Sequence, residues 1–152
     1  MPVALLIQGS GPTDRDGNQL PSITTDLLKR AAYSLAKGGI ATLRFDKPGV
    51  AGNFPHRPQE LAAFSRWENF VDDVVSAFYF LESQAEVDSK RIAMVGHSEG
   101  GMLALEATSR LRRDHREPAA LVLAATPGRK CMWSCEPNWR VLESARVPGV
   151  LR

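Results

Sequence analysis

The chain has 152 residues, with 19 Lys plus Arg against 17 Asp plus Glu, for a formal net charge of +2. That length suits one ordinary domain able to bury roughly 68 to 70% of its unfolded surface, and the balanced charge excludes a basic nucleic-acid-binding surface and an acidic disordered tail. With 43% hydrophobic and 24% charged residues, the composition is that of a soluble globular protein. The longest apolar runs, Val3 to Ile7 and Ala119 to Ala125, fall far short of the ~20 residues a spanning helix needs, so no membrane insertion is expected. Met1-Pro2-Val3-Ala4-Leu5-Leu6 has neither a basic start nor a small-residue cleavage site, so no signal peptide is expected and the cytoplasm is the expected compartment.

Val3-Ala4-Leu5-Leu6-Ile7, followed by Gly9-Ser10-Gly11-Pro12, predicts a strand buried on both faces and then an abrupt loop. Leu27, Leu28, Ala31, Ala32, Leu35 and Ala36 recur at helical spacing, with Thr24 or Thr25 as the expected N-cap and Gly38 as the C-cap. Ile40 to Phe45 predicts the second strand, and Asp46 to Pro58 a Gly- and Pro-rich loop that carries His56. Trp67, Phe70, Val71, Val74, Val75, Phe78 and Leu81 mark one face of a second helix. Arg91 to Val95 predicts the third strand, Ser98 to about Arg110 the third helix, and Leu121 to Ala125 the fourth strand.

This alternation requires parallel strands joined by right-handed crossovers, with helices on both faces. The expected fold is therefore α/β, a doubly wound parallel sheet of about four strands. Residues 1–129 form its core, and residues 130–152 are a C-terminal tail with no clear period. There are no internal repeats.

Gly96-His97-Ser98-Glu99-Gly100 fits the Gly-x-Ser-x-Gly nucleophile elbow. Alone, such a match arises by chance in roughly one chain of this length in twenty. Context strengthens it, because the motif needs a strand immediately before and a helix immediately after to lift the serine hydroxyl above the sheet. Both are predicted here. Gly96 and Gly100 suit a turn so tight that side chains would collide with the neighbouring strand and helix. The first amides of the following helix point at negative charge developing beside Ser98, which makes the Glu99 amide one oxyanion donor. The second is expected from the Gly9 loop, at the Ser10 amide with Gly11 as the alternative. For both donors to reach one oxygen the first and third strands must be neighbours, which predicts the strand order 2-1-3-4.

With the stretches Leu6 to Asn18, Gly39 to Asp46 and Arg91 to Gly101 in view, the chain resembles the α/β-hydrolase superfamily, in particular its serine esterase and peptidase-like members. The resemblance covers about Pro2 to Gly128 and implies Ser98 as nucleophile and ester or related acyl substrates. It also implies a larger parent. Members carry further strands, with an acid and a histidine on loops after the nucleophile, whereas here the sequence ends first, which gives the expectation of a truncated core. A second departure is Asp46-Lys47-Pro48-Gly49, where members often carry Arg-Gly after the aspartate.

Topology sorts the three histidines, since every strand-to-helix loop lies at the carboxyl edge where Ser98 emerges and every helix-to-strand loop lies at the other. His115 falls on the far edge. His97 precedes the nucleophile and is expected to pack away from it. His56 is on the near edge and is the candidate base, with a solvated loop histidine as the competing reading; Asp46 either orients it or organises its own loop. Asp14, Asp16 and Asn18 resemble the start of a calcium loop, but Gln19 and Thr25 stand where Gly and Glu are required. Cys131 and Cys135 are too few for a disulfide framework and, with His115, lack a fourth zinc ligand. No metal or cofactor is expected.

The functional expectation is a serine acyl hydrolase, most simply a carboxylesterase for short-chain small-molecule esters, weak because the usual acid and histidine are missing. The alternative is a non-catalytic binding or assembly module. The uncharged fourth strand leads us to expect a homo-oligomer, joined there or through Trp133 and Trp139.

Overall fold

The computed structural model describes residues 1–54, 57 and 60–128. The expectations for His56 and for Cys131, Trp133, Cys135 and Trp139 lie outside the described residues. All five residues of β1 (Val3–Ile7) are buried, as their unbroken apolar run demands. Side chains alternate across a strand, so Val3, Leu5 and Ile7 enter one core cluster while Ala4 and Leu6 enter another on the opposite face.

Chain order then runs α1 (Leu27–Lys37), β2 (Ala41–Arg44), α2 (Leu61–Phe64), α3 (Trp67–Glu82), β3 (Ile92–His97), α4 (Glu99–Arg113) and β4 (Ala120–Ala124). The sheet order is β2-β1-β3-β4, and every pairing is parallel. Leu6 sits level with Arg44 on one side and with Val95 on the other. From β1 the chain steps outward to β2 and then back across β1 to β3 and β4. Right-handed crossovers in opposite directions must lie on opposite faces. Accordingly α1 packs Leu28 and Ala32 against Ala4 and Leu6, whereas α3 and α4 share the other face, where Val71, Val74, Phe78, Leu103, Ala107 and Leu111 meet Leu5, Ile92 and Met94.

The expected order and the doubly wound class are both present, with differences at the boundaries. The first helix begins one residue later than Thr25 allows. Asp26 occupies its N-cap in a left-handed conformation (φ 50°), where the Asn18 carboxamide oxygen accepts the Thr25 and Asp26 amides at 2.8 Å. The third strand runs two residues past Val95 to His97, because parallel pairing continues to Ala124. The short α2 has only four residues, about one helical turn, too few to show a helical period in the sequence. Among the described residues no helix is long and apolar enough to cross a membrane.

Candidate active site

The point where the crossover direction reverses lies between β1 and β3, and at such a point the loops diverge to leave a crevice at the carboxyl ends of the strands. Ser98 stands there. Its backbone has φ 53° and ψ −122°, a conformation that costs a non-glycine residue about 1 to 3 kcal/mol and that clusters at functional sites. The strain is imposed from both sides. The Ser98 amide donates to the Ala124 carbonyl at 2.8 Å, extending the β3–β4 ladder, while the Ser98 carbonyl already accepts the Gly101 amide of α4 at 3.0 Å. One residue must therefore turn the chain from strand into helix.

The glycines have the steric reason expected of them. A Cβ on Gly96 would lie 2.5 Å from the Gly100 carbonyl carbon, and one on Gly100 would lie 2.6 Å from the Gln8 carbonyl oxygen. The first turn of α4 is thus pressed directly against the end of β1. Gly9 is equally close to the elbow, since a Cβ there would stand 3.3 Å from the Ser98 Cβ and 3.4 Å from the His97 Nδ1. The structure so brings together Ser98, Glu99, the Gly9-Ser10 segment and His97, whose half-buried ring lies beside Gly9. His115 is exposed after α4 with φ 56°, on the connection that leads into β4 at the other edge.

The loops after β1 and β2 are tied to one another. Asp46, buried, accepts the Arg15 amide and the Arg15 Nε, each at 2.6 Å, so among the described residues its carboxylate organises these loops. Its backbone carbonyl accepts the Asn53 side-chain amide at 2.9 Å. Gln8, only 1% exposed, donates to the Phe45 carbonyl at 3.0 Å. The Asp14 carboxylate accepts the Asp16 and Asn18 amides at 2.9 and 2.8 Å, a local turn that accounts for the calcium-like spacing. Among the described residues no group of three His, Cys, Asp or Glu is placed to hold a metal ion. A cavity of about 180 Å³ opens between Pro12, Asp14, Asn18 and Leu20 of one loop and Gly49, Val50 and Ala51 of the other.

One residue of the site had no signal as a site residue in the sequence. Lys47, in a Gly- and Pro-rich loop, has the appearance of a solvated charge, yet it is 4% exposed. Its Nζ donates to the Gly9 carbonyl at 2.6 Å, lies 3.6 Å from the Glu99 carboxylate, and sits 5.4 Å from the centre of the Phe70 ring. Burial pushes its pKa below the ordinary lysine value, and the negative charge of Glu99 pulls it part of the way back.

A parallel sheet wound on both faces, with a strained serine between strand and helix at its switch point, defines the α/β-hydrolase class. A family model described as the alpha/beta hydrolase family matches residues 17–151, and the chain belongs to that family. Esterase EstD of Thermotoga maritima is 29% identical over 143 residues, covering 94% of this chain and 31% of the esterase. The crystal structure of the alpha/beta hydrolase GrgF from Penicillium sp. sh18 superimposes with a TM-score of 0.60 at 19% identity, covering 82% of this chain and 37% of that one. That likeness is one of fold. The chain spans 31% of the esterase and 37% of GrgF.

Proposed function

We propose that this chain carries the nucleophile and oxyanion hole of a serine acyl hydrolase, most simply a carboxylesterase acting on short-chain esters. The observation that carries the proposal is the strained Ser98 backbone at the switch point, with Gly9 against its Cβ and α4 beginning at the next residue. The esterase named among its relatives supports the substrate class. In this reading the Ser98 Oγ attacks the ester carbonyl carbon, and the Ser10 and Glu99 amides hold the oxygen that becomes negative. The carbonyl then reforms, the alcohol departs with the serine proton, and water cleaves the acyl-enzyme to the acid. His56 is the proposed carrier of the proton, with bulk water in its place if it does not reach.

Labelling tests this directly. A fluorophosphonate should modify the protein stoichiometrically at Ser98, and Ser98→Ala should abolish both labelling and hydrolysis of a short-chain activated ester. His115→Ala should change neither. His56→Ala should slow both if the proton passes through it. Failure of Ser98 to label would favour the reading of a non-catalytic binding or assembly module.

We also propose self-association through the edge of β4 that has no partner strand among the described residues. Among the described residues β4 pairs only with β3, and Val122 and Leu123 are 48% and 44% exposed; an uncharged unpaired edge of this kind invites another strand. Sedimentation at micromolar concentration should find a dimer or larger species. A monomer would remove the proposal.

A further inference from the structure

Lys47 follows the buried Asp46, and its contacts do not belong to a solvated loop charge. A lysine ammonium is seldom buried without a partner, because leaving water is costly. Among the described residues it has two polar partners, and they come from the two segments credited above with the oxyanion donors. One is the Gly9 carbonyl at 2.6 Å and the other the Glu99 carboxylate at 3.6 Å, with the Phe70 face beneath the charge at 5.4 Å.

The geometry of the peptide unit turns the first contact into a constraint on the site. A trans peptide is planar, so the Gly9 C=O and the Ser10 N–H lie in one plane and point in opposite directions. Whatever grips the Gly9 oxygen therefore decides where the Ser10 hydrogen points. A glycine-containing loop is otherwise free to flip that plane, because Gly9 has no Cβ to oppose the rotation. The next peptide is held the same way, since the Ser10 carbonyl accepts the Thr13 hydroxyl at 2.7 Å and the Gln19 side-chain amide at 3.0 Å. Those two clamps are local to the loop after β1. Lys47 reaches in from the loop after β2.

From this we infer that Lys47 is a positioning residue of the oxyanion hole: by holding the Gly9 carbonyl it aims the Ser10 N–H at Ser98, and by pairing with Glu99 it holds that segment against the start of α4. The inference rests on the oxyanion reading above. Lys47 touches no reacting atom in this account. It prevents the rotation of one peptide, so its loss should weaken stabilisation of the developing oxyanion and leave the Glu99 donor in place.

Amide spectra of the ¹⁵N-labelled protein, free and with a fluorophosphonate adduct on Ser98, separate the two ideas. In the wild type the adduct oxygen should shift both the Ser10 and the Glu99 amide protons downfield. In Lys47→Met, whose side chain fills similar space, the Ser10 shift should fall to less than half while the Glu99 shift persists, and labelling should slow at least about tenfold, since deleting one whole donor costs ~10² to 10³. A second measurement needs no variant: in the wild-type protein the Gly9 carbonyl ¹³C and the Ser10 ¹⁵N should titrate together with the Lys47 side chain. An unchanged Ser10 shift in a folded Lys47→Met, or a Gly9 carbonyl that stays still through the Lys47 titration, overturns the positioning role alone. A wild type that forms no adduct, or forms one without moving the Ser10 amide, overturns the oxyanion reading and this inference with it.

Discussion

Gly100→Ala should destabilise the protein by about 3 kcal/mol or more, the upper range for forcing an atom into a packed interior. At this chain length that lowers the thermal midpoint by roughly 6 to 12 °C. Intrinsic propensity argues the other way, because Gly100 lies in the first turn of α4 and alanine is favoured over glycine in a helix interior by about 1 kcal/mol. Packing wins. The added methyl would stand 2.6 Å from the Gln8 carbonyl oxygen and would also meet the Ile7 carbonyl, and neither can retreat, since Ile7 and Gln8 are buried at the end of a central strand. Relief comes only from lifting α4 off β1, which would separate Glu99 from the Gly9 loop. Urea unfolding would expose the effect, and a variant as stable as the wild type would mean that the elbow is looser than its geometry states.

Ser98→Gly should be at least as stable as Ser98→Ala, and up to about 2.5 kcal/mol more stable, although both variants should be inert toward a fluorophosphonate. The reason lies in φ 53° and ψ −122°. Such a conformation costs about 1 to 3 kcal/mol for any residue with a Cβ, and glycine escapes it while giving back roughly 0.5 to 1 kcal/mol through the freedom it adds to the unfolded chain. Alanine keeps the strain and loses only the hydroxyl. Thermal melts of the two variants side by side measure the energy stored at the elbow without any substrate. A turn without strain would instead leave Ser98→Ala the more stable of the two by roughly 0.5 to 1 kcal/mol, and that result would remove the physical reason for singling out this serine.

The fold was open to sequence reading to the extent that one chemical pattern repeats in each element. The all-apolar run of β1 and the helical spacing of Trp67, Phe70, Val71, Val74, Phe78 and Leu81 state their burial directly, and right-handed connection then leaves few ways to order four parallel strands. Asp26 in place of a threonine cap was hidden because it depends on a contact from Asn18 in a loop with no period of its own, and the turn at Leu61–Phe64 because four residues are too few to show a period. Among the glycines, Gly96 and Gly100 declare themselves through the serine between them, and the expected pairing of the first and third strands already put the Gly9 loop beside Ser98, whereas the approach of Gly9 to the His97 ring shows only in the folded chain.

By itself the sequence determined which serine stands between a strand and a helix, and that β1 would be central, because those statements depend on local pattern and on the handedness of L-residues. Only the tertiary structure decided which side chains tie the loops around that serine together. Lys47 and Gly9 are 38 residues apart and share a hydrogen bond, and Asp46 meets Arg15 from 31 residues away. Contacts of that kind leave no trace in spacing, since they are made by loops whose side chains are placed by sheet order and not by any periodicity of their own. A buried lysine looks in sequence like every exposed one. Its difference is desolvation, and that belongs to the folded chain.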